Sequence, residues 1–175
     1  VSLNLNGIRS AVNKGLLPWL RAQKADIVCI QEIKAQAQDL TEAMRNPGRL
    51  RGYFHCAEKK GYSGVGLYCT RQPDLIVEGL GIPDIDAEGR YLEAQFGPLS
   101  VVSFYLPSRS SSEERLAVKF RLLERVTQRL HQLASSGSDA SSCRDLTIPH
   151  QTTARENRAP NVNRAAVTRH GEPHH

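Results

Sequence analysis

Short apolar runs that end at a turn or a polar residue alternate with amphipathic stretches over the first 134 residues of this chain. Residues 27–30 are continuously apolar, which is typical of a strand covered on both faces. Further strands are predicted at residues 1–5, 53–56, 65–69, 75–77, 91–96 and 101–105. Ser10 is predicted to begin a helix to about residue 23, and Thr41 a short helix that ends at residues 46–48. With a long amphipathic helix from residue 113 to about residue 133, this order predicts an α/β or α+β layered sandwich.

The alternating pattern fails after residue 134. Residues 135–142 are mostly serine, and residues 151–175 show neither the strand period nor the helix period. A segment with so little apolar surface to bury stays disordered. We therefore predict a domain over residues 1–148 and a disordered tail over residues 149–175.

Composition and charge narrow the function classes. Hydrophobic residues make up 39% of the chain and charged residues 23%, which excludes a wholly disordered or fibrous protein. The net charge of +5 favours a polyanionic partner such as nucleic acid. No apolar run is long enough for a membrane span, and the four cysteines include no C-x-x-C pair that would bind zinc. We expect a cytoplasmic monomer with no membrane partner, and we interpret the strand-like start of the chain as a clipped N-terminus rather than a signal peptide.

Polar side chains stand at the ends of three predicted strands. Asn4 and Asn6 follow the first strand, Glu32 follows the second, and Tyr105 ends the run at residues 101–105. Such positions often hold the chemistry of α/β proteins. Taken singly, each has an ordinary explanation: an Asn-Gly turn, a solvated strand end, or an aromatic side chain at the edge of the core.

Four segments together form a specific pattern. They are NLNGIR at residues 4–9, IQEIK at 30–34, GYSGVG at 61–66 and SFYLP at 103–107. With them, the chain resembles the exonuclease III type of apurinic/apyrimidinic endonuclease, within the endonuclease/exonuclease/phosphatase superfamily, from residue 1 to about residue 134. The resemblance implies a four-layer α/β sandwich of two packed mixed sheets flanked by helices, of which this chain supplies a part that is truncated mid-domain.

The resemblance also implies a reaction. Members of this group hydrolyse the phosphodiester bond 5′ to an abasic site and act as 3′-to-5′ exonucleases on duplex DNA. The implied cofactor is Mg²⁺, with Mn²⁺ as an alternative. The expected partner is therefore duplex DNA with abasic sites and 3′ ends.

Site residues follow from the matching motif positions. Glu32 and Asn4 match the metal site, and Tyr105, Asp145 and Asn4 match the groups that act on the phosphate and the attacking water. The expected DNA-binding residues are Lys59, Lys60, Tyr62, Arg90 and Arg9; for Arg90 the alternative is a pair with a buried or edge carboxylate. Further candidates for phosphate contact are Lys14, Lys34 and Arg71.

The chain departs from the family pattern in its later part. Arg144 and Thr147 stand where the motif around Asp145 has Gly and Asn, and Arg109 replaces a Gly. The family's later motifs are missing, which we attribute to a frame change or a decayed gene. We therefore predict a nuclease impaired by truncation; the alternative is a catalytically inactive DNA-binding or functionless remnant of a disrupted gene. A DNase I-like nuclease or an inositol-phosphate phosphatase of the same superfamily also stays open.

Overall fold

A computed structural model describes residues 1–106, 113–135 and 139–145, with side chains for residues 1–106 and 116–135. Within these residues the strands are β1 (Ser2–Asn4), β2 (Ile27–Gln31), β3 (Arg51–His55), β4 (Val65–Cys69), β5 (Leu75–Glu78), β6 (Tyr91–Phe96), β7 (Leu99–Tyr105) and β8 (Asp139–Asp145). The helices are α1 (Ile8–Asn13), α2 (Leu16–Ala22), α3 (Glu42–Arg45), α4 (Pro83–Asp86) and α5 (Glu113–Ser135), with a 3₁₀ turn at Ala37–Asp39. None of the described helices combines the length and the apolar character that a bilayer span needs.

The first sheet has the strand order β1-β2-β4-β3, with β1 parallel to β2 and the other pairs antiparallel. Its central strand β2 is apolar on both faces, and each face packs against a different layer. Val28 and Ile30 pack with buried residues of α1, α2 and α3, whereas Cys29 packs with the residues between the two sheets. The continuous apolar run at residues 27–30 is thus explained by a strand that is covered on both sides.

The second sheet has the order β5-β6-β7-β8, with β8 parallel to β7 and the other pairs antiparallel. Leu92 of β6 and Val101 of β7 face the first sheet. Phe104 of β7 faces the other way and packs with Leu122 and Val126 of α5. The layers are therefore helix, sheet, sheet and helix, and the predicted α/β sandwich is confirmed.

The helix predicted from Ser10 begins earlier and is interrupted. α1 starts at Ile8 with Gly7 as its N-cap at φ 108°, so Ser10 lies inside the helix. Gly15 is left-handed at φ 96° and separates α1 from α2. Because only glycine adopts such angles without strain, these two glycines set the helix ends. Thr41 caps α3 through its side chain, as predicted.

The chain continues as a strand beyond the point where the sequence pattern fails. β8 pairs in parallel with β7, and Asp145 stands opposite Tyr105 in the register. Backbone hydrogen bonds to β7 define this serine-rich strand, and such bonds leave no signal in the side-chain pattern. The predictions that lie outside the described residues are those on Arg109, Thr147 and the tail at residues 149–175.

Candidate active site

Three polar side chains from distant parts of the chain meet at one edge of the sandwich. Because β1 and β2 are parallel, their carboxyl ends share an edge, with Asn4 opposite Gln31 and Glu32 following directly. Tyr105 ends β7 in the other sheet, and its side chain lies near enough to the Glu32 carboxylate to lower that group's pKa. The structure thus brings together Asn4, Glu32 and Tyr105, as the motifs led us to expect.

A buried polar bridge joins the two sheets beneath this site. Gln31 Nε2 donates to Ser103 Oγ at 3.4 Å, and Ser103 Oγ donates to the Ile30 carbonyl oxygen at 3.3 Å. Both side chains are almost fully buried. Since buried polar groups that are fully paired specify a unique arrangement, this bridge sets how β7 sits against β2 and so where Tyr105 lies relative to Glu32.

The Glu32 carboxylate is held by three side chains. Asn4 Nδ2 donates to Oε1 at 2.8 Å, the Lys34 ammonium lies 2.8 Å from Oε2, and the Tyr105 hydroxyl lies nearby. Burial raises the pKa of Glu32, but these hydrogen bonds outweigh it, so the pKa lies below its ordinary value of 4.5. The group is therefore an anion at neutral pH.

Unusual backbone conformations cluster around the same carboxylate. Among the described residues, the non-glycine residues with positive φ are Asn6, Glu32, Lys34 and Ser63, at 46°, 53°, 47° and 43°. The Ser63 carbonyl oxygen accepts a bond from the Lys34 amide at 2.9 Å, and Lys34 Nζ lies 2.5 Å from Asn6 Oδ1. Left-handed residues of this kind cost about 1–3 kcal/mol each and persist where surrounding contacts hold them, often at functional sites.

The amide of Asn4 is oriented on both sides. Its nitrogen donates to Glu32, and its oxygen accepts from the Asn6 backbone amide at 3.0 Å. In this arrangement Asn4 orients the carboxylate. Its predicted role as a metal ligand stays a prediction.

The donor set at Glu32 fits a hard divalent cation. Mg²⁺ prefers oxygen ligands, retains several waters and needs only one or two carboxylates. Within the described residues no group of three or more His, Cys, Asp or Glu side chains forms a denser metal site. The backbone of Asp145 lies at the same edge, opposite Tyr105, but its side chain is outside the described part. Its role as a catalytic residue stays a prediction.

The predicted DNA-binding loop lies next to this site. Lys59 and Lys60 are exposed, and the Lys59 ammonium lies 5.4 Å from the centroid of the Tyr62 ring. Arg9 is exposed on α1, just after the turn that follows β1. Their roles in DNA binding stay predictions, but all are accessible.

Two basic residues differ from expectation. Arg90 is only 2% exposed, and its guanidinium is taken up by protein groups, so a direct contact with DNA is not available to it in this arrangement. Arg71 follows β4 at the end of the sheet opposite to Glu32, where it pairs with Asp74 and lies 5.5 Å from the Phe96 ring. The carboxylate pair that stayed open for Arg90 is present in the fold, with Glu88. The ring contacts of both arginines follow from tertiary packing.

Lys34 is the residue of the site whose role the sequence analysis missed. It was predicted only as a phosphate contact, whereas the structure pairs it directly with Glu32. Spacing alone does not indicate this pairing, because it depends on the left-handed backbone at Glu32 and Lys34.

Comparisons with known proteins agree with this geometry. The family model described as Endonuclease/Exonuclease/phosphatase family matches residues 1–166. The exodeoxyribonuclease of Bacillus subtilis (strain 168) is 30% identical over 96% of this chain and 66% of its own length. The DNA repair nuclease APEX1 of Danio rerio is 32% identical over 95% of this chain and 54% of its own length.

Solved structures show the same fold. An AP endonuclease from Archaeoglobus fulgidus superposes with a TM-score of 0.71 and 29% identity, over 82% of this chain and 55% of its own. The catalytic domain of APE2 from Xenopus laevis has a TM-score of 0.76 and 26% identity, over 84% of this chain and 57% of its own. The chain thus spans about half to two thirds of the length of these four proteins.

Proposed function

Because this chain belongs to the endonuclease/exonuclease/phosphatase family, we propose that it is a DNA-repair nuclease that hydrolyses the phosphodiester bond 5′ to an abasic site and trims 3′ ends of duplex DNA. The observation that supports this most is the Glu32 carboxylate, which Asn4 from one sheet and Tyr105 from the other hold at a solvent-accessible edge. Relatives named exodeoxyribonuclease and DNA repair nuclease point to the same chemistry.

Nucleases of this family generally depend on a divalent metal ion. Glu32 is the residue that would hold it here, with Mg²⁺ as the expected ion and Mn²⁺ as an alternative. When bound, such an ion polarises a phosphoryl oxygen and stabilises the leaving alkoxide. Asn4 orients the Glu32 carboxylate, and the Tyr105 hydroxyl faces the position of the reacting phosphate. Asp145 would orient or deprotonate the attacking water.

The duplex would be bound by the exposed basic residues beside the site. Lys59, Lys60 and Arg9 supply positive charge for the phosphate backbone, and the half-buried Tyr62 ring lies beneath Lys59. Such contacts position the duplex without reading its sequence, as a repair enzyme that acts at any abasic site requires.

The direct test is incision of a duplex with a single abasic site in the presence of Mg²⁺. We expect activity in the unaltered chain and a loss of about 10²–10³-fold in Glu32→Gln, which keeps the shape but removes the charge. Glu78→Gln is the matched control, because Glu78 is an exposed residue of β5 at the outer edge of the second sheet. Equal activity in Glu32→Gln would contradict the proposal.

Two other outcomes identify the rival functions. Binding of the abasic duplex with no incision by the unaltered chain would favour the catalytically inactive remnant. Faster release of phosphate from an inositol phosphate than incision of DNA would favour the phosphatase branch of the superfamily.

A separate measurement tests the DNA contact. Lys60→Ala should reduce the dependence of log K on log salt concentration by about one counterion for duplex binding. Lys24→Ala is the matched control, since Lys24 is exposed and precedes β2 at the end opposite to Glu32. An unchanged slope in Lys60→Ala removes Lys60 from the binding surface.

A further inference from the structure

Arg90 is the largest of the fully buried side chains in the described part of the chain. A guanidinium taken out of water is costly unless it is paired and its hydrogen bonds are satisfied. Glu88 forms the ion pair through Arg90 Nε. This single ion pair uses only one of the guanidinium nitrogens, so the other contacts of Arg90 must account for its burial next to the candidate site.

Among the described residues, the other hydrogen bonds and ring contacts of the Arg90 side chain go to two tyrosines. Its guanidinium carbon lies 5.2 Å from the centroid of the Tyr105 ring and 5.5 Å from that of Tyr62. In addition, Nη2 donates to Tyr62 Oη at 2.7 Å, and Nη1 donates to the Tyr105 carbonyl oxygen at 3.3 Å. One side chain therefore contacts both the loop beside the duplex-binding lysines and the tyrosine that lies near Glu32.

Tyr105 is held by Arg90 from several sides. The Tyr105 amide donates to the Arg90 carbonyl oxygen at 3.0 Å, so the two residues are joined through backbone and side chain alike. The hydroxyl at the far end of the same ring lies near Glu32 and lowers its pKa. Any shift of the guanidinium would therefore move the ring, and with it the hydroxyl.

The Tyr62 loop depends on contacts of this kind. Ser63 is left-handed at φ 43°, and its buried hydroxyl has no hydrogen-bond partner among the described residues. A strained segment with an unsatisfied group stays in place only where its neighbours hold it. The backbone amides of Ile33 and Lys34 donate to the carbonyl oxygens of Gly64 and Ser63, and Arg90 holds the loop at the Tyr62 hydroxyl.

We infer that Arg90 is a positioning residue that couples the Tyr62 loop to Tyr105, so that the loop seated on the duplex and the hydroxyl facing the phosphate are set together. This inference rests on the proposed function. A guanidinium suits the task because it is planar, stacks on aromatic rings and donates in its own plane at the same time. A lysine ammonium keeps the charge but cannot stack and donate in this way.

The kinetic test compares Arg90→Lys with Arg71→Lys. Arg71 also lies over an aromatic ring, that of Phe96, but at the opposite end of the sandwich, so it is a matched control. Arg90→Lys should lower kcat for abasic-site incision by at least about tenfold through a misplaced Tyr105, and raise KM through a loosened Tyr62 loop. Arg71→Lys should leave both unchanged.

A purely structural role gives a different result. In that case Arg90→Lys lowers the melting temperature while kcat and KM of the folded fraction stay at the unaltered values. This outcome would overturn the inference.

A second test needs neither catalysis nor DNA. The chain has five tyrosines, so ¹³C-labelled tyrosine rings give a spectrum that can be assigned by single substitutions. Tyr62→Phe should shift the Tyr105 resonance, and this shift should vanish when Arg90→Lys is present as well. A Tyr105 resonance that ignores Tyr62→Phe, or that responds equally in both backgrounds, would overturn the coupling.

The two tests separate the inference from the proposed function. If the unaltered chain cleaves no abasic duplex, the proposed function fails, and the tyrosine spectrum still decides whether Arg90 couples the two rings. If Arg90→Lys does not fold, Tyr62→Phe alone decides the matter: it removes the acceptor for Arg90 Nη2 and should both shift the Tyr105 resonance and lower kcat severalfold. No response in either measurement would refute the coupling.

Discussion

Glu32 and Glu93 have the same kinds of side-chain partners, but Glu32 is partly exposed at an edge of the sandwich and Glu93 is fully buried. Each carboxylate has one amide, one tyrosine and one basic side chain around it. The partners of Glu32 are Asn4, Tyr105 and Lys34, and those of Glu93 are Gln95, Tyr91 and Arg129. Burial raises the pKa of both carboxyls, the hydrogen bonds outweigh it, and both pKa values lie below the ordinary 4.5.

The difference lies in backbone and access. Glu93 sits inside β6, is 0% exposed, and is bound by two nitrogens of Arg129 at 2.9 Å each. Glu32 follows the end of β2 with a left-handed backbone, has a side chain that is 15% exposed, and is contacted by the single nitrogen of Lys34. We call Glu93 and its partners the closed set, and it joins α5 to the second sheet. Glu32 and its partners form the open set, which leaves a charged oxygen within reach of a ligand.

The largest expected effect is a loss of stability when the closed set loses its basic side chain, Arg129. Arg129→Met would leave the Glu93 carboxylate buried without its basic partner, which should lower the free energy of unfolding by about 3–5 kcal/mol. Urea unfolding followed by circular dichroism measures this change.

The same substitution at the open set is the control. Lys34→Met should change the free energy of unfolding by less than about 1 kcal/mol, because Glu32 and Lys34 can both be solvated. Equal losses in the two variants would show that the two carboxylates do not differ in the way described.

The next effect of Arg129→Met is on how the contribution of Glu93 to stability depends on pH, which should change sign. In the unaltered chain the folded pKa of Glu93 is lowered, so its contribution to stability is present above about 4.5 and is lost as the pH falls through the folded pKa. Without Arg129, burial raises the folded pKa of Glu93 above the unfolded one, so protonation stabilises the variant. The stability gap between the two proteins should therefore narrow by roughly 1–2 kcal/mol between about pH 6 and about pH 3. A gap that stays constant over this range, in urea titrations at each pH, would contradict the account of Glu93.

The smallest expected effect concerns metal binding at the open set. Lys34 occupies one oxygen of Glu32, and its charge repels an incoming cation. Removing it in Lys34→Met should tighten Mn²⁺ binding about fivefold, equivalent to about 1 kcal/mol. Lys24→Met, at the other end of β2, should leave the affinity unchanged. Weaker binding in Lys34→Met would mean that Lys34 helps to build the site rather than competing for it.

Much of the fold and part of the site were predictable from local pattern. The bounds of β4 and β6 agree with the predicted strands at residues 65–69 and 91–96. Asn4, Glu32 and Tyr105 were found because each stands at a strand end within a specific motif. Arg90 was expected at the DNA surface or in a pair with a carboxylate, and the structure pairs it with Glu88. Nothing in its neighbouring residues indicates that two tyrosine rings also lie beside its guanidinium.

The order of apolar runs and turns was enough to determine a layered α/β sandwich, because a side chain's face on a strand depends on its position within that strand. Which carboxylate stays open and which is sealed depended instead on groups far apart in sequence. Tyr105 reaches Glu32 because Gln31 and Ser103 lock the two sheets together, and Arg129 reaches Glu93 because α5 packs across the second sheet. Burial depends on how the layers pack. Similar partners therefore surround a buried structural carboxylate at Glu93 and a candidate active-site carboxylate at Glu32.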